Sequence, residues 1–196
     1  MKSIFKTGML LTSIFLIGVS VAQAQASFKI GSNSGNSMLL SGTSTFHDWT
    51  MATKTFTGNA QFAVKENEIT ALKSLDFSLP VLQLKGDKKA LNTNAYKALK
   101  TDLYKNIMYK LKSAKVAGRK ESKFQVSTTG ILTISGVTKE VSIDIYCVAN
   151  KNGSVTATGT YKIKMTDYKV EPPKFMGGMM TTGDDLTLDF AMIFEK

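Results

Sequence analysis

The sequence predicts an all-β fold, an antiparallel barrel of eight or more strands with one short helix. The first observation is a strict two-residue alternation of apolar and polar side chains from Val155 to Thr166. The second is the same alternation near the end of the chain, from Leu186 to Phe194. Successive side chains of a strand point to opposite faces, so each segment has one apolar and one polar face. Such strands bury their apolar faces against each other, as a sandwich or a barrel.

The first part of the chain contains shorter strand signals. Phe28–Ile30 and Met38–Leu40 are predicted to form a strand pair, with residues 31–37 turning between them. From Phe56 to Val64, and again from Leu75 to Leu79, every second residue is apolar or small. Val64 is therefore expected on the same inward face as Phe56.

A change of period after the fifth strand signal predicts the helix. Asn92 or Thr93 is expected to cap it, because either side chain can accept a hydrogen bond from a free amide of the first turn. Ala95, Tyr96 and Leu99 then fall on one side of the helix. In this position the helix would close one end of the barrel.

The second half of the chain returns to strands. The helix is expected to end near residues 101–102, and strand signals follow at 104–116, 124–128, 130–135 and 141–148. Gly136 and residues 150–153 are predicted to be turns. A long loop is expected at residues 167–185, before the final alternating strand.

The N-terminus has the layout of a secretory signal peptide. Lys2 and Lys6 precede an apolar run from Met9 to Val21, and the small-residue site Ala22–Ala24 follows. A signal peptide at 1–24, with cleavage after residue 26 as the alternative, leaves a single domain at 25–196. We therefore expect a periplasmic protein, with an extracellular location as the alternative.

Charge and polarity limit the partners. The net charge is +10, but the basic residues are spread singly and Arg119 is the only arginine. Nucleic-acid sites cluster basic residues and favour arginine, so no nucleic-acid partner is expected. Transient contact with an anionic membrane surface is more compatible with this pattern.

The predicted outer faces are polar, the reverse of an outer-membrane barrel, so the protein is expected to be soluble.

A lone cysteine excludes a disulfide scaffold. Cys147 alternates with Val141, Ile143 and Ile145 and is expected to be a buried, inert thiol.

Three motifs, taken in order, resemble those of the YceI-like family. They are Gly42–Thr50 (GTSTFHDWT), Leu132–Val141 (LTISGVTKEV), and Met165–Pro173 (MTDYKVEPP) followed by Gly183–Leu186 (GDDL). The resemblance implies an extended eight-stranded, lipocalin-like barrel that is exported to the periplasm. It also implies an apolar tunnel for an isoprenoid or similar amphiphilic lipid, and no chemistry. We therefore expect no enzymatic activity and no cofactor besides such a lipid, which is the expected partner.

A first group of candidate ligand-binding residues lies around the only histidine. Phe46, His47 and Trp49 could hold a lipid head group at the barrel mouth, with Asp48 orienting the imidazole. A structural cluster that pins a strand is the alternative. As an enzyme site His47 lacks a recognisable nucleophile motif, and as a zinc site it lacks ligands at useful spacing.

A second group lies in the long loop. Phe175, Met176, Met179 and Met180 are adaptable apolar side chains, which suits a mouth or lid that receives a lipid tail. Thioether capture of Cu(I) is the alternative, although copper would need a fuller set of ligands.

The alternation itself supplies the tunnel wall. Large inward residues favour a filled core, whereas the small inward residues Gly58, Ala60, Ala157 and Gly159 favour a hollow one. A protein with a solid core that serves as an interaction or stress-response scaffold is therefore the alternative to a lipid-binding barrel. The helix contributes Tyr96 and Leu99. The large inward set is Phe56, Phe62, Phe77, Leu79, Tyr161, Ile163, Met165, Leu188, Phe190 and Met192.

Overall fold

Eight strands close into an antiparallel ring in the computed structural model of the protein. The structure describes residues 26–32 and 35–196, apart from the side chains of Phe175 and Met176. The ring order is β1-β4-β5-β6-β7-β8-β9-β11, and β11 returns to β1. This confirms the predicted eight-stranded barrel; the predicted signal peptide lies outside the described residues. The strands are β1 (Ala26–Ile30), β2 (Ser37–Ser44), β3 (Trp49–Thr53), β4 (Thr57–Lys65), β5 (Glu68–Pro80), β6 (Asn106–Lys120), β7 (Lys123–Ile134), β8 (Val137–Ala149), β9 (Val155–Lys164), β10 (Lys174–Phe175) and β11 (Met180–Glu195).

The first two strands do not pair with each other. Both run antiparallel to β11, with Ile30 opposite Phe194 and Met38 opposite Phe190. They are therefore two halves of one interrupted strand, and the predicted strand pair is wrong. Between the two halves, the side chain of Asn36 takes the place of backbone hydrogen bonds to β11, and the residue is only 1% exposed. Its side-chain N–H donates to the Gly31 carbonyl at 2.7 Å, and its side-chain oxygen accepts from the Ile193 backbone N–H at 2.8 Å.

The end of β4 departs from the predicted alternation. Its register against β5 shifts between Gln61 and Phe62 and again between Ala63 and Val64, and each time the extra residue, Lys73 or Thr70, lies on β5. The pairing of the two strands is therefore irregular here. Ala63 is buried and Val64 is 37% exposed, so the inward position expected for Val64 is wrong.

One end of the barrel is filled by aromatic side chains. The rings of Phe28 and Phe62, and those of Phe62 and Phe194, meet edge-on with centroids 5.5 Å apart. Cys147 is fully buried on β8, and its partner across the β8–β9 pair is the buried Ala157. We call this the closed end.

The helix lies toward the other end of the barrel. Strand β3 pairs with β2, and its remaining edge is bridged at Ala52 to Lys85, just before α1 (Lys89–Ala98). The helix begins before the predicted caps. Asn92 instead accepts a hydrogen bond from the Gly86 N–H at 2.7 Å, which fixes the turn that precedes the helix.

The predicted loop at 167–185 is more ordered than expected. It contains 3-10 turns at Thr166–Tyr168 and Met176–Gly178 and the short β10, and β11 already begins at Met180. The two strands expected at 124–128 and 130–135 are one strand, β7.

Candidate ligand-binding cavity

The barrel encloses a cavity of about 600 Å³ between the closed end and the helix. Its deepest wall includes Phe62 and Phe194, which belong to the aromatic cluster of the closed end. At the opposite end the lining includes the exposed residues His47, Asp48 and Asp87. Aromatic side chains therefore block the cavity at the closed end. At the other end the cavity opens to solvent, and we call this opening the mouth.

The walls are apolar because the inward faces of the ring strands converge on this space. Of the ten large inward residues predicted from the alternation, nine line it. The exception is Phe56, which is buried behind the wall with its ring 5.6 Å from that of Phe77. The nine are Phe62, Phe77, Leu79, Tyr161, Ile163, Met165, Leu188, Phe190 and Met192.

The small inward residues contribute less space than expected. A β-carbon at Gly58 would meet Ile30 at 2.7 Å, and one at Gly159 would meet the Phe190 ring at 2.5 Å. Neighbouring side chains thus fill the gaps that these glycines leave. Of the four small residues, Ala157 lines the cavity.

His47 and Trp49 stand at the mouth. The His47 carbonyl accepts hydrogen bonds from the Ser44 backbone N–H at 3.1 Å and from its Oγ at 2.6 Å, which closes a tight turn. The Trp49 indole N–H donates to the Thr43 carbonyl at 3.0 Å, and its ring covers Gly42. Within residues 26–32 and 35–196, the hydrogen bonds of His47 involve its backbone and not its imidazole.

Two predicted site residues lie on the rim rather than in the wall. Phe46 is 70% exposed and Met179 is 73% exposed. Their loops are held together because the Thr45 N–H donates to the Thr181 carbonyl at 3.1 Å. Met180 does line the cavity, whereas the side chains of Phe175 and Met176 lie outside the described part of the structure.

The helix closes part of the mouth with one face. Leu91, Ala95 and Leu99 line the cavity. Tyr96 points elsewhere: its hydroxyl lies 3.2 Å from the Leu82 carbonyl and 3.0 Å from the Leu84 carbonyl, to which it donates. Its role is thus to fasten the helix to the preceding segment.

Polar groups in the wall were not singled out from the sequence. The Tyr109 hydroxyl donates to Thr128 Oγ1 at 3.1 Å, and this oxygen donates in turn to the Ile143 carbonyl at 2.7 Å. Tyr168, in the 3-10 turn after β9, also lines the cavity. Two-residue alternation does not extend into a 3-10 turn, so no sequence signal marked Tyr168 as a wall residue.

Other chemistries find little support in the described residues. Burial raises the pKa of the Cys147 thiol to about 12, so it stays protonated at neutral pH. No group of three or more His, Cys, Asp or Glu residues that could hold a metal ion occurs in residues 26–32 and 35–196. The same part of the chain contains no helix long and apolar enough to span a bilayer.

Comparison with protein families gives one match over most of the chain. The model of a family described as YceI-like domain matches residues 20–194. A comparison with curated proteins gives no significant match.

Three solved structures share the fold at low sequence identity. BcnA of Burkholderia cenocepacia has a TM-score of 0.66 at 17% identity, over 81% of this chain and 95% of that protein. A polyisoprenoid-binding domain of Saccharophagus degradans, implicated in plant cell wall breakdown, has a TM-score of 0.65 at 12% identity, over 88% and 99%. The YceI protein of Campylobacter jejuni has a TM-score of 0.54 at 19% identity, over 71% and 81%.

Proposed function

Because this chain belongs to the family of YceI-like domains, we propose that it is an exported, non-catalytic carrier of an amphiphilic lipid, most simply an isoprenoid. One structural neighbour is a polyisoprenoid-binding domain, which supports this choice of ligand class. The observation that carries the proposal is the apolar cavity of about 600 Å³ with polar residues at its mouth.

The shape of the cavity favours a ligand with a long apolar part. Large side chains line the whole depth from the helix to Phe62 and Phe194. At about 25 cal/mol per Å² of apolar surface, burial of roughly 300 Å² of lipid tail contributes roughly 7 kcal/mol before the cost of ordering the tail is subtracted. The hollow interior disfavours the alternative of a solid scaffold.

The mouth supplies the groups that could hold a polar head. His47, Asp48, Asp87 and Lys88 all line the cavity, so cationic and anionic side chains are both present. We propose that the tail enters the barrel first and that the head group stays among these residues.

Contact with a membrane surface would let the carrier exchange its lipid. Residues 85–105, which include the helix at the mouth, contain six lysines and two aspartates and carry a net charge of +4. The exposed Phe46 and Met179 lie on the neighbouring rim. A basic segment beside exposed apolar side chains suits brief contact with anionic lipid. We propose no nucleic-acid partner.

The ligand can be tested by native mass spectrometry. The full chain would be expressed with its leader, purified from the periplasm without detergent, and weighed intact. A bound lipid is expected as an added mass that disappears on denaturation, and the extract identifies it. An apo mass that persists after incubation with geranylgeraniol would overturn the proposal. N-terminal sequencing tests export, with Gln25 or Ser27 expected as the first residue.

Two matched helix variants locate the entry route. In Ala95→Trp a large side chain would fill the mouth, because Ala95 faces the cavity. In Thr93→Trp the same side chain would lie on the exposed outer face of the helix. Loss of bound lipid in the first variant alone is expected. Equal retention in both would exclude this entry route.

A further inference from the structure

Tyr168 presents an unsatisfied polar atom in the cavity wall. The residue is 3% exposed, and its hydroxyl is the one buried side-chain polar atom without a hydrogen-bond partner among the described residues. Buried hydroxyl groups in folded proteins are nearly always paired, because leaving one unpaired costs free energy. An unpaired group of this kind beside a ligand cavity points to a partner on the ligand.

Two other tyrosines near the cavity, Tyr109 and Tyr96, are paired, whereas the half-buried Tyr161 lines the cavity without a hydrogen-bond partner among the described residues. Tyr109 donates to Thr128 within the wall, and Tyr96 donates to backbone carbonyls outside it. The fold thus satisfies these phenols internally and leaves Tyr168 as an available donor.

The position of Tyr168 is fixed by its own turn. Its backbone N–H donates to the Met165 carbonyl at 3.0 Å, and the Val170 N–H donates to the same oxygen at 3.1 Å. Lys139 lies over the ring, with Nζ 5.9 Å from the centroid. The phenol is therefore held in place before any ligand arrives, which lowers the entropy cost of binding.

The surroundings define the chemistry of the partner. Burial raises the pKa of Tyr168 to about 12, so the hydroxyl is a neutral donor at physiological pH. The nearby Lys139 is already paired with Asp167, Nζ to Oδ1 at 2.8 Å, which leaves no net charge beside the phenol. A neutral acceptor suits this position better than a carboxylate or an ammonium group.

We propose that the Tyr168 hydroxyl donates a hydrogen bond to a neutral oxygen of the bound lipid, so that the ligand is an isoprenoid with a carbonyl or ether oxygen rather than a pure hydrocarbon. This inference rests on the proposed carrier function. Tyr168 follows β9 on the mouth side, so the oxygen lies near one end of the lipid and the tail extends toward Phe62.

A pair of nearly isosteric probes tests the inference. Phytone is a saturated isoprenoid methyl ketone, and pristane has a methyl group in place of its oxygen. Delipidated protein would be equilibrated with an equal mixture of both, and the bound ratio read by gas chromatography of the extract. In Tyr168→Phe the phytone-to-pristane ratio is expected to fall about three- to tenfold relative to the wild type, the effect of one lost hydrogen bond.

A control separates a direct contact from the loss of a phenol elsewhere in the protein. Tyr146→Phe removes a phenol that is 41% exposed and lies outside the cavity lining, and its ratio is expected to stay within about twofold of the wild type. The infrared carbonyl band of bound phytone is expected at lower frequency in the wild type than in Tyr168→Phe.

Each remaining outcome is informative. If the wild type retains neither probe, the carrier proposal fails. If it retains both and Tyr168→Phe leaves the ratio and the carbonyl band unchanged, the carrier proposal stands and the role of Tyr168 is overturned. A shift in Tyr146→Phe as large as that in Tyr168→Phe would also overturn it.

Discussion

Thr166 donates two hydrogen bonds to the carboxylate of Asp184, from its backbone N–H at 2.8 Å and from its Oγ1 at 2.7 Å. The pair ties the turn that carries Tyr168 to β11. These bonds, the one from the side chain first, lower the pKa of Asp184 below its usual value.

A depressed pKa makes this link dependent on pH. The stabilisation is present above the pKa of the unfolded chain and is lost as the pH falls through the lower folded value. In urea unfolding, the wild type is expected to exceed Asp184→Asn in stability at about pH 6, with a smaller gap at about pH 3. A constant gap for Asp184→Asn would contradict this assignment.

Asn36 joins the two halves of the interrupted strand. Asn36→Ala removes both of its hydrogen bonds and leaves the Gly31 carbonyl and the Ile193 N–H without them. The free energy of unfolding is expected to fall by about 2–3 kcal/mol, measured by urea titration. Asn59→Ala, an exposed position on β4, should change it by less than about 0.5 kcal/mol. Similar values for both variants would mean that the interruption needs no bridge.

Gly136 allows the tight turn between β7 and β8. Its φ is +77°, and a β-carbon there would lie 2.4 Å from the Tyr104 ring. Gly136→Ala is therefore expected to cost about 1–2 kcal/mol in thermal unfolding. Gly118 has nothing within 4 Å of an added β-carbon, so Gly118→Ala serves as the control and should be nearly neutral. A neutral Gly136→Ala would show that the turn can relax.

Cys147 should not react in the native protein. Burial raises its pKa to about 12, and the side chain has no exposed surface. Ellman's reagent at about pH 8 is expected to label it only after unfolding in urea, because the thiolate is the reactive form. Rapid labelling of the folded protein would indicate that the closed end opens.

The regular parts of the barrel could be predicted from the sequence, and its irregular parts could not. Alternation identified β9 and β11, and with them wall residues such as Ile163 and Phe190, because a period of two follows directly from strand geometry. It failed for Val64, where the pairing of β4 with β5 is irregular, and it could not show that β1 and β2 share the edge of β11.

The candidate site divides in the same way. Tyr161 and Leu188 were predicted because they lie on regular strands. The space at Gly58 and Gly159 depends on long-range neighbours, Ile30 and Phe190, that the local sequence does not reveal. Tyr168 lies in a 3-10 turn, and its position became evident from the three-dimensional structure alone.

The pairing of β11 with β1, β2 and β9 also bears on how the barrel is made. The ring has no closed interior until these 16 residues, Met180–Glu195, are in place. A chain that is made from its N-terminus onward therefore exposes the apolar inner faces of β4 to β9 until β11 is in place. Closure of the ring pairs strands that are far apart in the sequence, and such pairing is slow. Closure therefore waits for β11, and a chaperone that shields the unclosed sheet would protect it from aggregation.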